Sequence, residues 1–385
     1  MVSVITGLEQ LLYQSTYKSL KDLRIGLVTN HTSVTKELKF GIDELLKENF
    51  KIKKIFSPEH GFRGNNRAGD KLADEIDERT GLPVYSLYGD TKRPTADMVK
   101  GLDALIFDIQ DIGVRFYTYI YTMAYCMEAA KEHNLQFIVL DRANPITGVK
   151  VEGNILDENF QSFVGLYPIP LRHGMTVGEL AQMFNEHFQI GCSLKVISLK
   201  NWERSYWFDE TKLPWVMPSP NSTSLEMATL YPGTCLFEGT NLSEGRGTTK
   251  PFEIVGASWI NGYEWAKRLN QLSLPGVIFR ETFFTPYTSK YQGELCQGVQ
   301  VHVTDREVVK PVEVGIAMIA EAKQLYPNEF QWFEAVPGRF FIDLLMGTNE
   351  FRKIIDEQKS IEQWLAKENS KLESFKAIRE KYLLY

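Results

Sequence analysis

Long apolar runs are missing from this 385-residue chain. No stretch of about 18 uncharged apolar residues occurs, so no segment is expected to insert into a membrane. Cysteine is scarce: Cys126, Cys192, Cys235 and Cys296 lie far apart with no CxxC spacing, which excludes a structural zinc site and points to buried thiols. The six histidines follow no HExxH pattern, so no metal is expected. No block of positive charge stands out and the net charge is −6, which argues against a nucleic-acid partner. Neither GxxxxGK[ST] nor GxGxxG occurs, so no nucleotide cofactor is expected. Residues 1–7 lack a charged segment followed by an apolar one. The chain as it stands is therefore expected in the cytoplasm, and outside it if a leader has been removed.

What is present is a series of short apolar runs, each ending in polar residues. They cover 24–28, 52–56, 84–88, 104–107 and 137–140, with a sixth at 194–199. Between them lie helix-like segments at 36–48, 95–100 and 117–133. Thr176-Val177-Gly178-Glu179 has the form of a capping box and opens another. Continuous apolar strands alternating with helices predict a parallel sheet covered on both faces, with ligands beyond the strands' carboxyl ends. The reading is α/β: a Rossmann-like domain over residues 1–228 and a smaller α+β domain over 229–385 that completes a cleft. In the second part, 277–284 and 299–304 read as strands and 312–325 as a helix.

Chemistry-bearing residues gather where the strands stop. Pro58-Glu59-His60-Gly61-Phe62-Arg63-Gly64 follows the second run. Glu59 suits a general acid or base, His60 an orienting or substrate-binding role, and Arg63 a carboxylate contact. The fourth run ends in Asp108-Ile109-Gln110-Asp111, followed by Arg115; the fifth ends in Asp141 and Arg142. Asp111 is a candidate helix cap, and Asp141 is open between pairing with Arg142 and binding sugar hydroxyls. The tyrosines Tyr117, Tyr119, Tyr121 and Tyr125 are expected to pack between helix and sheet. In the second domain, Glu238, Asn241, Glu244 and Arg246 share one glycine-rich stretch. Carboxylates, arginines and aromatics in one cleft suit glycoside hydrolysis, in which two carboxylates flank the scissile bond.

Taken together, Pro58-Glu59-His60-Gly61, Phe107-Asp108-Ile109-Gln110-Asp111, Arg115-Phe116-Tyr117-Thr118-Tyr119, Glu238-Gly239-Thr240-Asn241 and Ser243-Glu244-Gly245-Arg246-Gly247 identify a family. The chain resembles the exo-β-N-acetylmuramidases typified by NamZ over nearly its whole length. It departs from their pattern at Ala143 and Thr223, where prolines are usual. The resemblance implies a metal- and nucleotide-independent hydrolase of peptidoglycan turnover that acts on peptidoglycan-derived amino-sugar glycans. It assigns Glu59 as the catalytic glutamate. Asp108, Glu238 and Glu244 are the candidates for a second group, with the substrate's own acetamido group as the alternative. Arg63, Arg115 and Arg246 are the candidates for the lactyl carboxylate of muramic acid; His60, Gln110, Asp141, Glu238 and Asn241 complete the expected substrate contacts. Two other readings fit the same cleft: a binding protein for muropeptides without catalysis, and a hexosaminidase for another amino sugar.

Overall fold

The computed structural model describes residues 3–66, 69–70 and 73–385. The apolar runs form strands because the chain has enough helix to cover both faces of the sheet they make. In chain order these are β1 (Arg24–Thr29), β2 (Lys51–Ser57), β3 (Glu75–Ile76), β4 (Pro83–Ser86), β5 (Ala104–Asp108), β6 (Gln136–Leu140), β7 (Glu152–Ile155), β8 (Pro170–Arg172) and β9 (Ser193–Ile197). Seven of them build one sheet in the order β3-β4-β2-β1-β5-β6-β9. All its pairings are parallel except that of β3 with β4 at the edge. β7 and β8 form a separate antiparallel ribbon.

Alternation along the strands divides the core in two. Ile25, Leu27, Ala104, Ile106, Ile138 and Leu140 pack on one face of the sheet, and Val28, Leu105, Phe107, Phe137 and Val139 on the other. This two-residue period follows from the strand pleat, and burial of both faces is what made the runs continuously apolar. The helices of this half are α1 (Gly7–Tyr13), α2 (Gly41–Lys47), α3 (Ala96–Val99), α4 (Tyr119–Glu132) and α5 (Val177–Glu186). α5 opens with the expected capping box between Thr176 and Glu179. The helix expected at 36–48 begins only at Gly41. Ahead of it Leu38 adopts φ 60°, and the Thr35 N–H donates to the Lys39 carbonyl at 2.9 Å, closing a turn instead.

The chain passes to its second half through α6 (Leu225–Thr234), and the expected boundary near Thr229 falls inside that helix. There follow β10 (Ile254–Ala257), α7 (Gly262–Gln271), β11 (Val277–Phe284), β12 (Cys296–Val303) and α8 (Pro311–Leu325). The strands form an antiparallel sheet in the order β10-β12-β11, with α7 packed across β11 and β12. α6 and α8 touch backbone to backbone. A Cβ on Gly315 would lie 2.3 Å from the Gly233 carbonyl oxygen, so only glycine permits this approach. The larger core cluster runs from Phe107 and Ile120 through Met227 and Leu236 to Val299 and Ile319, so both halves share it. All four cysteines are buried and unpaired. Among the described residues, no helix is long and apolar enough to cross a membrane.

Candidate active site

β2 ends at Ser57, and the chain turns at Pro58, where the Gly61 N–H donates to the Pro58 carbonyl at 3.0 Å. His60 takes a left-handed conformation with φ 70°, which is sterically costly for a side chain of its size. The turn leaves Glu59 only 9% exposed, on the wall of a cleft of about 810 Å³. Its two oxygens are held separately. Thr118 Oγ1 donates to Oε2 at 2.8 Å, and the Gly69 N–H donates to Oε1 at 3.1 Å. The Tyr88 phenol adjoins Glu59; burial, followed by that carboxylate's charge, raises its pKa.

His60 Nδ1 lies 2.9 Å from the Asn66 carbonyl, so it must carry a proton to bond there. The neutral ring then presents an acceptor at Nε2. Burial pushes the His60 pKa below its ordinary value; Glu59 and the bond to Asn66 oppose the shift, and Arg246 adds to it. His60 is therefore neutral at pH 7.

The second half of the chain supplies further lining of the same cleft. Arg246 donates to Glu238 through Nε at 3.0 Å and Nη2 at 2.6 Å, and its Nε lies 3.4 Å from Glu244. Its guanidinium also sits 4.9 Å from the ring centre of Phe252. Glu244, 2% exposed, accepts from Lys290 Nζ at 3.0 Å. Gly247 makes the loop's packing possible, because a Cβ there would lie 2.3 Å from the Thr288 carbonyl oxygen. Tyr117, Tyr119, Phe163, Asn221 and Tyr231 add aromatic and amide surface. Aromatic faces suit sugar rings, and Glu59, Glu238 and Glu244 line the same cleft, the kind of carboxylate set that glycoside hydrolysis uses.

Glu59, His60, Glu238, Glu244 and Arg246 thus come together from the sequence-derived candidates; six others do not. Asp108 is fully buried under Arg142, which bonds both its oxygens at 2.6 and 2.9 Å, and Ser33 also donates to it. Gln110 donates to the Asp111 and Ala143 carbonyls at 2.7 and 2.9 Å. These groups fill the point between β1 and β5 where the strand order reverses and α/β sheets commonly bind ligands. A space of about 20 Å³ remains there, room for no more than a water.

Asp141 is also fully buried. It accepts from the backbone of Arg142 and Gly178 and from the hydroxyls of Thr176 and Tyr385, the last at 2.6 Å. Arg63 pairs with Asp77 and stacks on Phe62 and Phe40. Arg115, fully buried, donates to the Asn154, Ile169 and Leu345 carbonyls at 2.8, 2.8 and 2.9 Å. Asn241 pairs with the backbone of Glu329 and Gln331. None of these six side chains lines the cleft, and each is engaged elsewhere in the protein.

Conversely, Tyr88, Lys92, Thr118 and Lys290 line the cleft without having been singled out. Tyr88 closes the third apolar run and Thr118 lies in the Arg115–Tyr119 motif, so position offered a signal for those two. Tyr117 and Tyr119, expected to pack inside, also reach the cleft. Tyr119 donates to the Pro218 carbonyl at 2.6 Å, whereas Tyr121 stays buried. Among the described residues, no group of three or more His, Cys, Asp or Glu side chains is arranged to hold a metal ion.

Comparison with known proteins bears on the whole chain. The N-terminal domain model of the exo-β-N-acetylmuramidase NamZ matches residues 25–226, and its C-terminal domain model matches residues 229–385. The peptidoglycan β-N-acetylmuramidase NamZ of Bacillus subtilis (strain 168) is 51% identical over 384 residues, spanning 99% of this chain and 91% of that protein. A DUF1343 family protein of Bacteroides fragilis NCTC 9343 superposes with a TM-score of 0.91 at 38% identity, covering 100% of both chains. A second from the same organism gives 0.78 at 36% identity, covering 100% of this chain and 99% of the other. The chain belongs to the exo-β-N-acetylmuramidase NamZ family.

Proposed function

We propose that the cleft hydrolyses the β-glycosidic bond of N-acetylmuramic acid, releasing that sugar from the non-reducing end of peptidoglycan fragments. The family and the 51% identical muramidase support the activity. The observation that carries the site assignment is the position of Glu59. It is anchored by Thr118 and Gly69 and lines one cleft together with the Glu238–Arg246–Glu244 cluster.

In this reading Glu59 gives a proton to the glycosidic oxygen as the bond from C1 to that oxygen breaks. Positive charge developing on the sugar ring is stabilised by the carboxylates that line the cleft. Water then adds to C1 and gives up a proton, so the net reaction consumes one water and yields two hydroxyls. Glu238 and Glu244 are the candidates for the second group, since Asp108 is committed to Arg142.

The test is turnover of a chromogenic β-N-acetylmuraminide by the wild type and Glu59→Gln. Loss of an acid/base costs roughly 10²- to 10⁴-fold in kcat, with unfolding unchanged. A near wild-type rate in the variant removes Glu59 from the mechanism. Saturable binding of the sugar with no turnover by the wild type identifies a binding protein instead.

A further inference from the structure

A lactyl carboxylate on C3 is what separates muramic acid from glucosamine, so a site selective for the former needs a cation or donor set for that anion. None of the arginines expected to fill this role offers an unpaired charge to the cleft: Arg63 and Arg115 do not line it, and Arg246 is paired with two carboxylates. Arg63 is held by Asp77 and Arg115 by three carbonyls. Arg246 lies in the cleft but is engaged by Glu238 and Glu244.

Two lysines also line the cleft. Lys290 has three N–H donors and three acceptors, namely the Phe237 and Leu242 carbonyls at 2.9 Å each and Glu244 at 3.0 Å. Its donors are spent. Lys92 differs. Its ammonium lies 3.8 Å from the ring centre of Phe163 and 6.0 Å from that of Tyr88, and among the described residues no carboxylate or carbonyl is bonded to it. Cation–π attraction fixes where the charge sits without using a hydrogen-bond donor.

We propose that Lys92 is the specificity-determining residue of the cleft and receives the lactyl carboxylate of the substrate. The inference rests on the hydrolase reading for its substrate, and on geometry for its location. Glu59 is close enough for its charge to act on Lys92. A single sugar ring carries both the C3 substituent and the C1 bond to be broken, so anchoring one near Lys92 brings the other toward Glu59. Lys92 is exposed to solvent where it lines the cleft; desolvation lowers its pKa and the Glu59 charge opposes the shift. An incoming carboxylate would supply the hydrogen-bonding partner that the protein leaves out.

The experiment compares wild type, Lys92→Met and Lys92→Arg on three chromogenic β-glycosides: N-acetylmuraminide, its lactyl methyl ester, and N-acetylglucosaminide. The expected result is a fall of roughly 10- to 100-fold in the muraminide-to-glucosaminide ratio of kcat/KM for Lys92→Met, the value of one charged hydrogen bond. The fall should reside mainly in KM, and Lys92→Arg should recover part of it. Esterifying the lactyl group should lower the wild-type rate by a similar factor and have little further effect in Lys92→Met. Equal losses on all three substrates would mean that Lys92 acts on Glu59 rather than on the lactyl group, and would overturn the proposal. So would an unchanged ratio.

Calorimetric titration with free N-acetylmuramic acid and N-acetylglucosamine separates this proposal from the hydrolase reading. Selectivity that disappears in Lys92→Met supports the anion contact even if no variant turns over. Turnover with no such selectivity supports the hydrolase and removes Lys92.

Discussion

Asp108 and Glu59 look alike in the sequence, each an acid at the end of an apolar run, and the structure gives them opposite fates. What divides them is the partner. Arg142 comes from the next strand end and closes over both Asp108 oxygens, whereas Glu59 meets a hydroxyl and an N–H and keeps its place in the cleft. A strand end can be read from local pattern, but a guanidinium arriving from 34 positions away cannot. The same blindness explains Arg63 and Arg115, whose partners Asp77 and Leu345 lie 14 and 230 positions off. Asp108→Asn is therefore expected to act on stability. It leaves the buried Arg142 charge uncompensated at a cost of about 3–5 kcal/mol. Urea unfolding should show that loss, while kcat per folded molecule stays near wild type. A large fall in kcat without unfolding would return Asp108 to the chemistry.

At the level of elements, the strands were the most legible part, because burial of both sheet faces leaves an unbroken apolar signature. The α5 capping box was legible for a similar reason, since its reciprocal bonds are local. β10 gave little signal: it is four residues long and contains Gly256, so it shows neither length nor alternation. The α6–α8 contact was invisible, because nothing near Gly315 announces that Gly233 will lie against it. Gly315→Val should push the helices apart. The clashing atoms are backbone and cannot rotate away, so overpacking of about 1–3 kcal/mol or more is expected. A lower denaturation midpoint would check it, and an unaltered midpoint would mean that the helices are free to separate.

For the whole molecule, the shared core argues for a single cooperative unfolding transition, and its pH dependence can be signed. His31 and His60 both have lowered pKa values, chiefly through burial. Below pH 6.5 the unfolded chain takes up protons on these residues that the folded chain refuses, so stability falls as pH drops. Asp141 works the other way. Burial pushes its carboxyl up to about 7, with Glu179 adding to the rise and its hydrogen-bond donors opposing it. From about pH 4 to 7 the folded state therefore holds a proton that the unfolded state has lost, and Asp141's contribution declines as pH rises. The midpoint of urea unfolding should drop from pH 6.5 to 5, and the drop should steepen in Asp141→Asn. Each group contributes at most about 1.4 kcal/mol per pH unit. A shallower slope in the variant would show that the Asp141 sign is wrong. Asp141 has one more consequence. Its bond from Tyr385 spans 244 positions, linking the carboxyl end of β6 to a residue made much later. At ribosomal speeds of about 5–20 residues per second, that gap lasts roughly 12–50 s. Once β9 and α5 have been made, the nascent sheet still lacks the Tyr385 donor to Asp141 until the last residue is added. Translation rate and chaperone cover over this stretch should therefore govern how much of the chain reaches its folded form.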